Sequence, residues 1–225
     1  MIKKILFVAA AVLISTSSLF AYTEGDIVLY PEVGIGVAGG QVTVWSGSDV
    51  SYVMNTLYSL SPPLSSKDAE LTPGFYWSVG CNGSYFFNDS LALIGGLFID
   101  RNLFEVVWET NHGDLKYKIE LYRLTIPVGV RFHYGLLMVG GGLYLGAPLS
   151  YKDKEEDGES VDGKANLGLF IDAGVNIETT DTNNLLVFVK FKYDLTPSYE
   201  EKDEPLSKIR NISFSLGVSY GFQIN

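Results

Sequence analysis

The 225-residue chain has a single cysteine, Cys81, and only two histidines, His112 and His133. One cysteine cannot build a disulfide framework. Cys81 falls in an alternating apolar pattern, where its ordinary role is that of a small packing residue. With so few imidazoles there is little material for a metal cluster, or for a triad that sets a histidine beside a nucleophile. Positive charge is also short: 16 Lys and Arg against 26 Asp and Glu give a net charge of −10. That balance argues against nucleic acid as a partner. Past the N-terminal segment there is no apolar run of the ~18–20 residues a membrane helix needs. The stretch 136–149 comes nearest, but Gly140, Gly141, Gly142 and Gly146 interrupt it. Neither a Gly-rich phosphate loop nor a metal-ligand cluster stands out.

What is present begins with Met1-Ile2-Lys3-Lys4, an apolar run from Ile5 to about Ile14, and small residues from Ser15 to Ala21. A basic start, a short apolar core and a small-residue end describe a secretory signal peptide. We therefore expect residues 1–21 to be a leader, cut after Ala21, and residues 22–225 to form one domain. No cysteine follows the cut, so no lipid anchor is expected. Hydrophobic residues make up 47% of the chain and aromatics 13%. So much apolar side chain without spanning helices suits a closed barrel, since only helices and closed barrels satisfy every backbone group in lipid.

The clearest pattern is the last one, Arg210 to Ile224. Ile212, Phe214, Leu216, Val218, Tyr220, Phe222 and Ile224 fall on one side. Asn211, Ser213, Ser215, Gly217, Ser219, Gly221 and Gln223 fall on the other. Strict alternation is the period of a strand, and this one exceeds the ~9–11 residues a tilted membrane strand needs. Ser215-x-Gly217-x-x-Tyr220-x-Phe222 resembles the C-terminal sorting signal of outer-membrane β-barrels. The resemblance implies that the barrel-assembly machinery reads this strand, with the departure that Gln223-Ile224-Asn225 follows the final aromatic.

Seven earlier segments alternate in the same way. Val33, Ile35 and Val37 oppose Glu32, Gly34, Gly36, Ala38 and Gly40. Phe75, Trp77, Val79, Cys81, Tyr85 and Phe87 share a face over about 74–87. Leu91, Leu93, Leu97 and Ile99 face one way over about 91–108, with Gly96, Asp100 and Asn102 facing the other. Over about 116–134, Tyr122, Leu124, Ile126, Val128, Val130, Phe132 and Tyr134 oppose Arg123, Thr125, Pro127, Gly129, Arg131 and His133. Proline removes a ladder donor, so a bulge is expected at Pro127. Further strands are expected at Leu137–Leu145, Leu167–Ile177 and Leu185–Leu195. The run from Tyr122 to Phe132 resembles a strand of the small outer-membrane β-barrel family that includes the outer-membrane protein X and W types. The connections alternate long and short, as they do in barrels with short periplasmic turns and long external loops. The expected fold is thus all-β: an eight-stranded antiparallel up-and-down transmembrane β-barrel.

In this reading Trp77, Tyr85, Tyr122, Phe132, Tyr134, Tyr220 and Phe222 form an aromatic girdle. Glu32, Asp100, Arg123, Arg131, Asp172, Lys190, Lys192 and Asp194 point into the lumen, where small residues and paired charges are expected. Charges in so narrow a space must be paired, which makes a structural ion-pair network the first reading and a selective path the second. Asp153-x-Glu155-x-Asp157-Gly158 resembles the start of a calcium loop, but Lys164 stands at the twelfth position, where a bidentate Glu is required. No metal, cofactor or catalytic residue is therefore assigned. His133 is expected near a periplasmic turn, and His112 in an external loop without a nucleophile motif.

The expectation is a monomer in the outer membrane of a diderm bacterium, with membrane lipid and the assembly machinery as its partners. Its role would be non-enzymatic: stabilising the membrane, or presenting acidic external loops. The alternatives are a narrow channel for small solutes, apolar ones included, as resemblance to the W type implies, and a secreted soluble barrel binding a small ligand.

Overall fold

A computed structural model describes residues 22–44, 69–108, 115–153, 163–180, 183–200 and 206–224. Its strands are β1 (Ile27–Val44), β2 (Ala69–Phe86), β3 (Leu91–Trp108), β4 (Leu115–Tyr134), β5 (Leu137–Asp153), β6 (Asn166–Thr180), β7 (Asn183–Asp194), β8 (Tyr199–Glu200) and β9 (Leu206–Ile224). Each long strand pairs antiparallel with the next. β9 then returns to β1, from Ile27↔Ile224 to Val44↔Leu206. Eight long strands close a cylinder, and the two-residue β8 only folds back on β9. The short connections are tight. Asn88 Oδ1 accepts from the backbone N–H of Ser90 and Leu91, both at 2.9 Å, and Gly135 turns at a φ of 55°.

Alternation sorts the side chains as a membrane requires. Val33, Ile35, Val37, Val128, Leu143, Leu145, Ile171, Leu216 and Val218 are exposed, while Glu32, Asp100, Arg123, Arg131, Asp172 and Asp194 are buried. A soluble barrel has the opposite arrangement. The apolar exterior runs around all eight long strands, and such a surface is far larger than a water-soluble monomer exposes. At 12 to 20 residues the long strands exceed the bilayer requirement, so on the side of the long connections they continue past the apolar belt.

Three expectations need correction. Pro127 makes no bulge: it pairs in register with Tyr144 on β5, and the shift on that side lies between Tyr122 and Arg123. Toward β3 the ladder skips Ile126 and Pro127 without changing register, so the missing N–H costs local pairing and not alignment. Several strands also run beyond the pattern, β1 from Ile27 to Val44 and β2 from Ala69, because backbone pairing continues where the apolar alternation stops. The third concerns the lumen, which is not lined by small and charged residues alone. Tyr30, Tyr76, Phe86, Phe98, Tyr144, Phe170 and Phe188 are all buried inside it.

The inward glycines explain how these rings fit. Gly80 pairs with Phe98, Gly168 with Tyr144, and Phe188 lies between Gly174 and Gly217. A Cβ at Gly80, Gly168 or Gly217 would collide with the ring of its partner, and one at Gly174 with the Val187 carbonyl and the Phe188 Cβ. Gly80, Gly168 and Gly217 are therefore the space that a neighbouring ring occupies.

The belt and the interior should answer differently to charge. Val128, midway along the exposed face of β4, is 56% exposed. We expect Val128→Arg to destabilise the barrel by about 2–4 kcal/mol in lipid vesicles. Denaturant unfolding of the vesicle-inserted protein measures this; a change below about 0.5 kcal/mol, as on an ordinary water-facing surface, would contradict a lipid-facing belt.

Candidate functional site

The lumen is the candidate site, because adjacent strands aim their polar side chains at it. On β3, Asp100 is completely buried and collects four neighbours. Lys192 Nζ donates to its two oxygens at 3.0 and 2.8 Å, Thr125 Oγ1 donates at 2.7 Å, Tyr76 OH at 3.1 Å and Arg123 Nε at 3.4 Å. Arg123 reaches on through Nη1 to Asp194 Oδ1 at 2.9 Å. Asp194 in turn accepts from the Tyr144 hydroxyl and, through Oδ2, from the Asn211 backbone N–H at 3.0 Å and its Nδ2 at 2.9 Å. Asp100 and Asp194 with Arg123 and Lys192 thus make one cluster toward the loop-side end.

Lower in the barrel, Lys190 Nζ donates to Glu32 Oε1 while Asn82 Nδ2 donates to Oε2 at 2.8 Å. Arg131 Nη2 donates to Asp172 Oδ2 at 2.7 Å. The four carboxylates and four cations expected in the lumen are all buried, and each has an oppositely charged partner among the other seven.

Aromatic faces surround the cations as well. Lys190 Nζ lies 5.0 Å from the Phe98 ring centre and 4.8 Å from that of Phe188. Lys192 Nζ is near Phe98, Tyr76 and Tyr144 at 5.6, 5.9 and 5.8 Å. The Arg123 guanidinium sits 5.2 Å from Tyr144 and that of Arg131 5.8 Å from Tyr30. Ring quadrupoles attract such cations, the more strongly when water is absent. The periodicity showed which way the charges point. It did not show the rings, because an inward Tyr or Phe among glycines looks like an interruption of the polar face.

The girdle residues occupy two levels on the exterior. Tyr85, Phe132, Tyr134, Tyr220 and Phe222 lie beside the short turns and the chain's C-terminal end, with Tyr220 and Phe222 in edge contact at 4.8 Å. Trp77 and Tyr122 lie toward the long connections, 6.2 Å apart on either side of Arg101, which pairs with Glu120. In the sorting-signal stretch Ser215 and Gly217 face inward and Phe222 outward.

At the turn-side mouth His133 is buried between rings, 5.3 Å from Tyr22 and 5.1 Å from Phe86. Among the described residues neither of its nitrogens has a hydrogen-bond partner. Burial, with Tyr30 close by, pushes the Tyr22 hydroxyl above the usual tyrosine range, so it stays neutral. His112, residues 154–162 of the calcium-loop resemblance that runs from Asp153 to Lys164, and residues 201–205 lie outside the described residues. Among the described residues no group of three or more His, Cys, Asp or Glu could hold a metal.

The sequence matches no protein-family model and no curated protein. Solved structures similar to the chain include three bacterial surface barrels. The outer-membrane protein OprG from Pseudomonas aeruginosa has 10% identity and a TM-score of 0.49 over 91% of this chain and 98% of that one. Neisserial surface protein A has 14% identity and a TM-score of 0.46 over 85% and 95%. Ail, the attachment invasion locus protein of Yersinia pestis, solved with the heparin analogue sucrose octasulfate, has 18% identity and a TM-score of 0.41 over 89% and 100%. The architecture stands on the chain's own register and burial. It is that of a small outer-membrane β-barrel.

The ion pairs give a direct test of how the lumen is held. Removing one member of a buried pair strands the other charge and costs roughly 3–5 kcal/mol, whereas removing both is far cheaper. Arg131→Met should therefore destabilise the barrel by about that amount, while Arg131→Met with Asp172→Leu should recover most of the loss. A double variant as unstable as the sum of its parts, in denaturant titrations, would show that the pair is not coupled.

Proposed function

We propose that the protein is a non-enzymatic, integral barrel of the outer membrane whose lumen is a structural plug, and whose task is carried by the surface it presents on the side of the long connections. One observation carries this reading. Each charge that would line a conducting path is paired with an opposite one, and aromatic rings stand between the pairs.

An eight-stranded barrel has an interior just wide enough for side chains to fill. Here Tyr144, Phe98, Phe170 and Phe188 are buried at mid-lumen, around and between the clusters of Asp100 and Glu32. A solute crossing this space would have to displace rings and separate ion pairs, each separation leaving charge unpaired at low dielectric. The inward glycines do not supply a bore. A side chain at Gly36 would meet the Phe214 carbonyl of β9, and one at Gly142 the Val128 carbonyl of β4.

The absence of catalysis is supported by the setting of the one described histidine. His133 lies against Tyr22 and Phe86 at the turn-side mouth, away from the outer leaflet. A general base has to reach its proton at hydrogen-bond distance, directly or through one water.

Purified protein in planar bilayers and in swelling liposomes tests the reading. The expected result is no discrete conductance and no solute-dependent swelling. Reproducible single-channel steps that vanish on heat unfolding would overturn the plug and restore the narrow channel.

A further inference from the structure

Residues 22–26 belong to no strand, yet they are fixed to the barrel. Asp26 N donates to Thr23 O at 3.1 Å, Thr23 N donates to Asp26 Oδ2 at 2.7 Å, and Gly25 adopts a φ of 94°. A left-handed residue there favours glycine, and the chain reverses on it. Gly25 N donates to Phe86 O at 2.9 Å and Phe86 N to Asp26 O at 3.0 Å, which fastens the reversal to the end of β2. The reversal carries Tyr22 into the mouth of the lumen, where its side chain is buried.

Inside the mouth, Tyr22 touches five strands. Its ring stacks on Phe86 of β2 at 3.8 Å and meets His133 of β4 edge-on at 5.3 Å. Its hydroxyl accepts from Asn176 Nδ2 of β6 at 2.9 Å and from Asn184 Nδ2 of β7 at 2.6 Å, and lies 3.1 Å from the Tyr30 hydroxyl of β1. Asn184 Nδ2 also reaches Tyr30 OH at 3.1 Å. β1 and β7 are not neighbours, since β9 stands between them. They meet across Gly221 of β9, where any Cβ would strike Asn184 and the Tyr30 ring.

This bridge lies over a gap in the pairing of the closing seam. The β1–β9 ladder runs from Ile27↔Ile224 to Leu29↔Phe222, skips Tyr30 and Pro31, and resumes at Glu32↔Ser219. Pro31 has no N–H to give, and Ser219 Oγ donates to its carbonyl at 2.7 Å in place of a ladder bond. We propose that Tyr22 is a latch: seated in the mouth, it ties β1 to β7 behind β9 and holds shut a seam that the backbone ladder leaves open at Pro31. With the leader cut after Ala21, as its sequence leads one to expect, the first residue of the mature chain becomes a working part of the barrel. The latch rests on the barrel reading given above and adds to it a role for the amino terminus.

The test compares mature wild-type protein, Tyr22→Ala, Asn184→Ala and the double variant in detergent micelles, reading the gel shift on heating together with amide hydrogen exchange. Tyr22→Ala should lower the unfolding midpoint by about 5–10 °C. It should also speed exchange along residues 27–33 and 218–224 while leaving β3 and β4 unchanged. The double variant should unfold no lower than the weaker single one, because both remove the same bridge. Unchanged midpoints, faster exchange confined to residues 22–26, or additive losses in the double variant would each overturn the latch. Failure of the barrel reading would look different: wild-type protein itself would show no heat shift and would be recovered with soluble periplasmic proteins.

Discussion

Everything in this barrel depends on the neutrality of its lumen. An isolated charge at low dielectric costs several kcal/mol even after relaxation, and among the described residues this interior holds eight charged side chains out of water. They cancel because the register brings them together. Asp100 stands directly opposite Arg123 on the next strand. Arg131 and Asp172 are the two cross-strand neighbours of Gly140, whose missing side chain lets them meet. A slip of one residue on any of these strands would turn its inward charges to lipid and its apolar row to the lumen. The network thus selects one alignment of the sheet more sharply than the apolar faces could alone. Val, Leu and Ile facing acyl chains are nearly interchangeable; Asp100 facing Arg123 is not.

Rings and glycines solve the remaining problem of volume. A cylinder lined only by small residues would be hollow, and its charges would meet water. Setting Phe98 against Gly80, Tyr144 against Gly168 and Phe188 against Gly174 and Gly217 fills the space with groups whose faces also attract the neighbouring cations. The same side chain therefore excludes water and stabilises the charge that exclusion would otherwise penalise. Tyr76 and Tyr144 do more, since their hydroxyls donate to Asp100 and Asp194.

The direction of nearly every side chain was legible in the sequence, because a period of two is a geometric property of a strand and needs no partner. The strand count, the tight turns at Asn88 and Gly135, the outward belt and the inward charges follow from it. What could not be read is whatever depends on which strand stands next to which residue. Lys190 lies opposite Asp172 in register, yet it bonds Glu32, which is 158 positions away in the chain. Phe98 and Gly80 looked like unrelated exceptions until the register paired them. Pro127 suggested a bulge because local chemistry removes a donor there, but the pairing on both flanks was strong enough to keep alignment without it. Tyr22 carried no periodic signal, since a single residue before the first strand has none to carry.

Neutrality inside has a consequence outside. Four carboxylates and four cations cancel in the lumen, so the whole net charge of −10 belongs to the rest of the chain. By sequence it is concentrated in two connections. Residues 153–164 hold six acids against two lysines, and residues 200–204 hold four acids against one. Those two stretches alone account for −7, and both connections join strands on the side opposite the short turns. A belt of aliphatic residues gives lipid no selectivity, and the eight lumen charges are each paired with one another. By sequence, these connections therefore contribute most of the net charge that sets the long-range field. An interior that uses its own charges for folding leaves the net charge of the chain to the rest of the molecule.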